Sequence, residues 1–210
     1  MYVNADSSER CRHAVVGDIP SVVRIHLAAF EGFFLSQLGY RFLCVMYQAF
    51  LRNPKSLFIV SEAASGQLVG FAVGSVHGQT DRWLALRFFP QFLFAVFPVI
   101  VRDPIRLGKR LCARFFDVGD SPQFPDGAAI LRSIGVLPSV RGTGAAASLL
   151  ASFEASAVVN GAFQVFLTTD ELNNYRALRF YERSGYRFVS CFQQDGYRGM
   201  WLMSKNLKDS

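Results

Sequence analysis

The chain has 210 residues, 51% hydrophobic and 18% charged, which excludes general disorder and supplies ample apolar material for a core. A formal net charge of +6 suits an anionic partner, but no zinc-ligand spacing, basic tail or RNA-binding aromatic signature accompanies it. A phosphate-rich cofactor fits that charge equally well, and nucleic acid is not expected.

One domain spanning residues 1–210, with an insertion, is expected at this length. Cys11, Cys44, Cys112 and Cys191 are widely spaced and read as reduced thiols of a cytoplasmic protein. Met1–Arg12 is polar and mixed in charge, without the apolar stretch of a secretory signal. The greasiest run, Phe92–Val101, is interrupted by Pro98 and falls short of the roughly 20 residues a spanning helix needs.

In chain order, His13–Val16 reads as a first strand. Asp18 is placed as a helix N-cap with Pro20 near the first helical position, and Val22, Val23, Ile25, His26, Ala29 and Phe30 follow at helical spacing. A second helix is expected from near Ser36 through Phe42, Val45, Met46 and Phe50, stopped at Asn53-Pro54. Leu57–Glu62 and Gln67–Val76 form a hairpin turned by Ser65-Gly66. Gly78–Pro125 breaks the alternation and reads as two or three short helices inserted between the third and fourth strands. Then come strand Ala129–Val136, helix Thr143–Asn160, strand Phe163–Thr168, helix Asn174–Ser184, and closing strands Tyr186–Gln193 and Arg198–Lys205. This order predicts an α/β fold with a mixed central sheet flanked by helices.

The most informative segment runs from Ser133 to Ala147, Ser-Ile-Gly-Val-Leu-Pro-Ser-Val-Arg-Gly-Thr-Gly-Ala-Ala-Ala. A strand ends, a proline stops the ladder, and glycines open a helix. Free N–H groups of a first helical turn, aided by the helix dipole, suit a diphosphate, and Gly142 and Gly144 leave room for its approach. An ordinary glycine-rich turn is the plain alternative. Neither the Rossmann nor the P-loop fingerprint is present.

These residues resemble the GNAT superfamily of N-acetyltransferases. Arg141-x-x-Gly144-x-Ala146 matches the family's Arg/Gln-x-x-Gly-x-Gly/Ala signature, and Val136-x-Pro138 its strand-to-loop junction. Downstream, Asn174-x-x-Ala177-x-x-Phe180-Tyr181-x-x-x-Gly185-Tyr186 resembles its later cofactor helix. The likeness covers roughly residues 129–190. It implies the GNAT fold, acetyl-CoA as co-substrate and no metal. It also implies a pyrophosphate held by the backbone of Arg141, Gly142, Thr143, Gly144, Ala145 and Ala146. The pantetheine arm would lie along Ile134, Gly135 and Val136, where the strand splays at a bulge.

Asn174, Ala177 and Tyr181 stand at i, i+3 and i+7 and share one helical face. The resemblance puts Asn174 on the pantetheine chain and Tyr181 near the thioester sulfur. Tyr181 is the candidate general acid, since a phenol titrates near 10 and a thiol near 8.5; a packed helix aromatic is the plain alternative. Arg176, Arg179 and Arg183 lie on a different stripe, rotated by about 200°, and read as a solvated face.

The implied reaction is attack of a neutral amine on the thioester carbon, with a backbone N–H near Val136 polarising the carbonyl. The base is poorly marked. Ala129–Val136 contains Arg132 but no carboxylate or histidine. Asp170 and Glu171 are candidates, equally readable as solvated loop acids, with Asp170 also a candidate cap; His26 and His77 are others.

The phenylalanine-rich insertion carries Arg87, Arg102, Arg106, Lys109, Arg110 and Arg114. It reads as a flap completing the core or an oligomer contact, as a lid over the acceptor pocket, or as a segment resting peripherally on anionic lipid. Long-insert members with a Gly-Phe-Phe-Leu segment like Gly32–Leu35 are associated with surface-polysaccharide assembly in bacteria, which implies an amino-sugar acceptor. A peptide N-acetyltransferase and a non-catalytic acetyl-CoA-binding module are the competing readings.

Overall fold

The computed structural model describes residues 10–76, 91, 95, 122–172, 174–194 and 198–207. The strands are β1 (Arg10–His13), β2 (Ser56–Glu62), β3 (Leu68–Val76), β4 (Ala128–Val136), β5 (Gln164–Asp170), β6 (Arg187–Gln194) and β7 (Arg198–Asn206). The helices that concern the site are α1 (Ile19–Ala29), α2 (Phe34–Gln37), α3 (Gly39–Arg52), α4 (Ala145–Val159) and α5 (Tyr175–Arg183). One sheet runs in the order β1-β2-β3-β4-β5-β7-β6. The β4–β5 pair is parallel and its other neighbours are antiparallel, giving the mixed sheet that the chain order implies.

Both faces of the sheet are covered, and the period-2 geometry of strands sorts the side chains between them. Phe58, Val60, Phe71 and Val73 join Val22 and Ile25 of α1 and Leu43 and Tyr47 of α3. Their neighbours Leu57, Ile59, Ala72 and Val76 join Leu149, Leu150 and Phe153 of α4 and Tyr181 of α5. Removing a fully buried ring such as Phe153 would cost about 3–5 kcal/mol.

Three boundaries differ from expectation. The first strand is Arg10–His13, not His13–Val16. Arg12 fixes it through ion pairs to Asp18 at 2.7 Å and Glu62 at 2.9 Å, while Val15 and Val16 are 57% and 71% exposed. Asp18 does precede α1, but its carboxylate turns back to Arg12 and to the Val15 N–H instead of capping the helix. The second expected helix is two helices, because Gly39, the first residue of α3, takes φ +85° where they meet.

The feature that positions the site is in β4. Val73 faces Ser133 but Gly74 faces Leu131, so Arg132 is an extra residue, a β-bulge. Gly74 permits it: a Cβ there would lie 2.0 Å from the Ile130 carbonyl oxygen and 2.7 Å from the Phe153 ring. On the other side of β4, pairing with β5 runs from Ala128↔Gln164 to Leu131↔Leu167 and stops, although β4 continues to Val136 and β5 to Asp170. The two strands diverge beyond that point.

The expected helical insertion, with its basic residues, and His77 lie outside the described residues, apart from Gln91, Ala95 and residues 122–125. Ala95 is buried in the α1–α3 cluster, and the Phe124 ring packs 5.5 Å from that of Phe166. Among the described residues no helix is long and apolar enough to cross a membrane.

Candidate active site

The end of β4 leads through a 3-10 turn, Pro138–Val140, into the glycine loop and α4. Gly142 has φ +85° and Gly144, the N-cap of α4, φ +99°, and a Cβ at either would meet nothing within 4 Å. The loop is therefore open on its outer side. The Thr143 hydroxyl donates to the Val140 carbonyl at 2.9 Å and accepts a long 3.4 Å bond from the Ala145 N–H. The N–H groups of Gly142, Gly144, Ala146 and Ala147 have no acceptor among the described residues. Arg141 is exposed beside them. Several free N–H groups at the start of a 15-residue helix, with a cation alongside, fit a diphosphate.

Next along the cleft is the unpaired edge of β4. The Leu137 N–H donates to the Val69 carbonyl at 2.8 Å, so by the alternation of antiparallel strands the N–H and C=O of Gly135 also face β3. Those of Ile134 and Val136 then face the gap left by β5, ready to pair with an extended amide-bearing chain. Gly135 has a different duty. A Cβ there would stand 3.0 Å from the Phe30 ring and 3.3 Å from that of Phe71, so its bareness lets α1 close on the sheet.

α5 forms the opposite wall. Asn174 stands at its N-cap, its amide nitrogen bonded to the Thr169 hydroxyl and, at 3.5 Å, to the Asp170 carbonyl. Ala177 and Tyr181 pack into the α4-side cluster, with Tyr181 9% exposed between Phe180 and Tyr186. Burial pushes the Tyr181 phenol well above its usual range. The three arginines of the other stripe are exposed, and Arg179 stacks on Tyr175 at 4.3 Å.

On the far face of the sheet the same gap opens among different residues. Phe30 contacts Phe33 at 5.7 Å, and Arg198 lies 5.8 Å from the Phe33 ring. Arg198 grips Asp170 with two hydrogen bonds, from Nε and Nη2. The Asp170 carboxylate is thus engaged by Arg198, and no side-chain bond to a helix N-terminus from it is seen among the described residues. Glu171 is exposed, its side chain against Gly199. His26 is buried, which lowers its pKa to about 4 and makes it a poor base. Sequence reasoning missed Phe33 and Arg198 because they come from separate segments. The bulge did leave a signal, a glycine inside a strand.

A diverging parallel pair, a bulged strand with outward-facing backbone groups and a glycine-opened helix form a cleft suited to an extended ligand that carries a diphosphate. Residues 107–186 match the model of the acetyltransferase (GNAT) family. Sequence comparison with curated proteins gives no match. Among solved structures, the ribosomal-protein-S18-alanine N-acetyltransferase of Escherichia coli superposes with a TM-score of 0.60 at 13% identity, over 95% of this chain and 94% of that one. The PaiA N-acetyltransferase of Thermoplasma acidophilum, in complex with coenzyme A, gives 0.61 at 12% identity over 95% and 99%. A chimeric spermidine N-acetyltransferase from Vibrio cholerae gives 0.62 at 13% over 97% and 98%. At such identities the structural likeness speaks for the fold. Residues 107–186 thus match the family's model within a chain of GNAT fold; GNAT acetyltransferases are acyl-CoA-dependent N-acyltransferases that use acetyl-CoA.

Proposed function

We propose that the protein moves an acetyl group from acetyl-CoA onto the primary amine of a small acceptor, an amino sugar being the class favoured by its sequence resemblance. The observation that supports transfer is the gap beyond Leu131 and Leu167, bordered by the glycine loop and α5 on one face and by Phe33, Asp170 and Arg198 on the other. The loop amides neutralise the diphosphate, and the free groups of Ile134 and Val136 hold the arm. The Val136 N–H polarises the carbonyl as charge develops on oxygen. Holding the two substrates in line supplies much of the rest.

Tyr181 donates a hydrogen bond to the departing thiolate. Its phenol is more weakly acidic than an ordinary one, so the proton stays largely on the phenol while the bond stabilises the sulfur charge. Ammonium deprotonation is left to water in the cleft. The solved relatives named for ribosomal-protein alanine and spermidine both carry amine acceptors in their names, in keeping with this chemistry.

Thiol release measured with glucosamine, a nucleotide-linked amino sugar, spermidine and a peptide with a free N-terminus tests the proposal. Turnover is expected on the amino sugars. Turnover on the peptide alone would make this a protein acetyltransferase, and coenzyme A binding without turnover a binding module.

A further inference from the structure

A phenylalanine stands exposed beside the gap and is held in place there. Phe33 is 43% exposed, in a loop braced by its own hydrogen bonds. Its N–H donates to the Phe30 carbonyl at 3.2 Å, the Ser36 hydroxyl to the same carbonyl at 2.7 Å, and the Gln37 amide to the Gly32 carbonyl at 3.0 Å. The Phe33 ring meets that of Phe30 edge-on at 5.7 Å. Phe30 in turn lies where a Cβ on Gly135 would stand 3.0 Å from its ring, so both rings are seated on the splayed end of β4. A ring left in water forgoes the stabilisation of burial, so core packing does not account for this one.

The neighbouring surface is polar. Asp170 lies past Leu167, the last β5 residue paired with β4. By strand alternation it shares the α1 face with Phe166 and Thr168, opposite Leu167. Thr168 is exposed although Leu167 and Thr169 on either side are buried, so this face of β5 is open just beyond the ladder. Arg198, the first residue of β7, holds both Asp170 oxygens and places its guanidinium carbon 5.8 Å from the centre of the Phe33 ring. Ring and ion pair are thus joined into one surface. A carboxylate has about four acceptor positions, and Arg198 takes one on each oxygen. The others suit hydroxyl donors, whereas a pair without net charge has little pull on a second ammonium.

An apolar ring joined to a neutral hydrogen-bonding pair matches a hydroxylated six-membered ring, which carries C–H groups on its faces and hydroxyls on its rim. We infer that Phe33, Asp170 and Arg198 form the acceptor-selecting surface: Phe33 stacks on the C–H face of such a ring, and Asp170 with Arg198 takes its rim hydroxyls. The amine on that ring is then directed into the gap between β4 and β5. No proton changes hands on this surface. The assignment rests on the N-acetyltransferase reading above, and draws its acceptor class from these side chains instead of from sequence resemblance.

Ratios of kcat/KM between amines test it, because a variant that merely loosens the fold lowers all of them alike. The amines are glucosamine, cyclohexylamine (a six-membered ring without hydroxyls) and ethanolamine (no ring), with spermidine alongside. Phe33→Ala should lower the glucosamine-to-ethanolamine ratio about tenfold, the worth of one stacked ring, and Phe33→Tyr should restore it. Arg198→Lys, which keeps the charge and loses the planar fork, should lower the glucosamine-to-cyclohexylamine ratio about tenfold. Phe33→Ala should leave that second ratio within about twofold, since both rings stack. Either ratio unchanged in its own variant, or a wild type that prefers spermidine to glucosamine, overturns the inference and leaves N-acetyl transfer standing. A wild-type protein that turns over none of these amines contradicts the functional reading itself, and this assignment with it.

Discussion

Leu131 and Leu167 are the last residues at which β4 and β5 face each other, and the residue after Leu131, Arg132, is the bulge. Ladder end and bulge therefore coincide. Before this point Ala129–Leu131 pair on both sides; after it, the outward backbone groups of β4 belong to the cleft. Gly74 on β3 makes the bulge sterically feasible, and the strand that leaves it runs into the glycine loop. Pairing geometry thus places free amides, a helix N-terminus and the α5 face along one path.

Tyr181→Phe removes one oxygen from a ring that keeps its packing against Phe180 and Tyr186. Turnover should fall by about 10²-fold, in line with general-acid contributions, while coenzyme A affinity stays nearly constant. Burial keeps the phenol protonated beyond its usual range, so no alkaline fall in the wild-type rate near pH 10 should trace to Tyr181. Equal turnover in the two proteins would remove Tyr181 from the mechanism.

Asp170→Asn distinguishes a proton acceptor from a wall. With Arg198 holding both carboxylate oxygens, Asp170 is expected to shape the acceptor side. The variant should show a higher acceptor KM, a kcat reduced by less than about tenfold, and an acid limb of the pH–rate profile in its original place. Loss of that limb, with a kcat drop of about 10³-fold, would restore Asp170 as the base.

His26 makes stability depend on pH. Its pKa is about 4 in the fold because burial penalises the charged ring, against about 6.5 in an unfolded chain. Between these values the unfolded state binds more protons. The neutral ring's contribution is therefore complete above about pH 6.5 and is lost as pH falls toward 4, to a total of about 3 kcal/mol. Urea unfolding across that window should show the loss, and His26→Gln should flatten that part of the slope. Parallel slopes would show that His26 charges freely in the fold.

The parts of the site written in short stretches were legible in the sequence. Gly142 and Gly144 announce an open turn through backbone freedom, and Asn174, Ala177 and Tyr181 announce a shared face through helical spacing. Parts assembled from distant segments were not. Tyr47 and His26 come from α3 and α1, and nothing in their local sequence says they meet. Asp170 read as a loop acid because its partner Arg198 lies on the next strand of the sheet but 28 residues along the chain. The first strand was misplaced because Ala14, Val15 and Val16 look like strand residues, while ion pairing by Arg12 decided the matter.

The claim on which the account rests is that a diphosphate sits on main-chain amides where residues 141–146 turn into α4. Calorimetric titration of acetyl-CoA and of S-acetylpantetheine, which lacks the diphosphate, into the wild type and Gly144→Glu tests it directly. The wild type should bind acetyl-CoA at least about 10²-fold more tightly than the truncated thioester, and Gly144→Glu, with bulk and negative charge at the turn, should abolish that advantage. Equal affinity for both compounds in the wild type, or undiminished acetyl-CoA binding in well-folded Gly144→Glu, would contradict it.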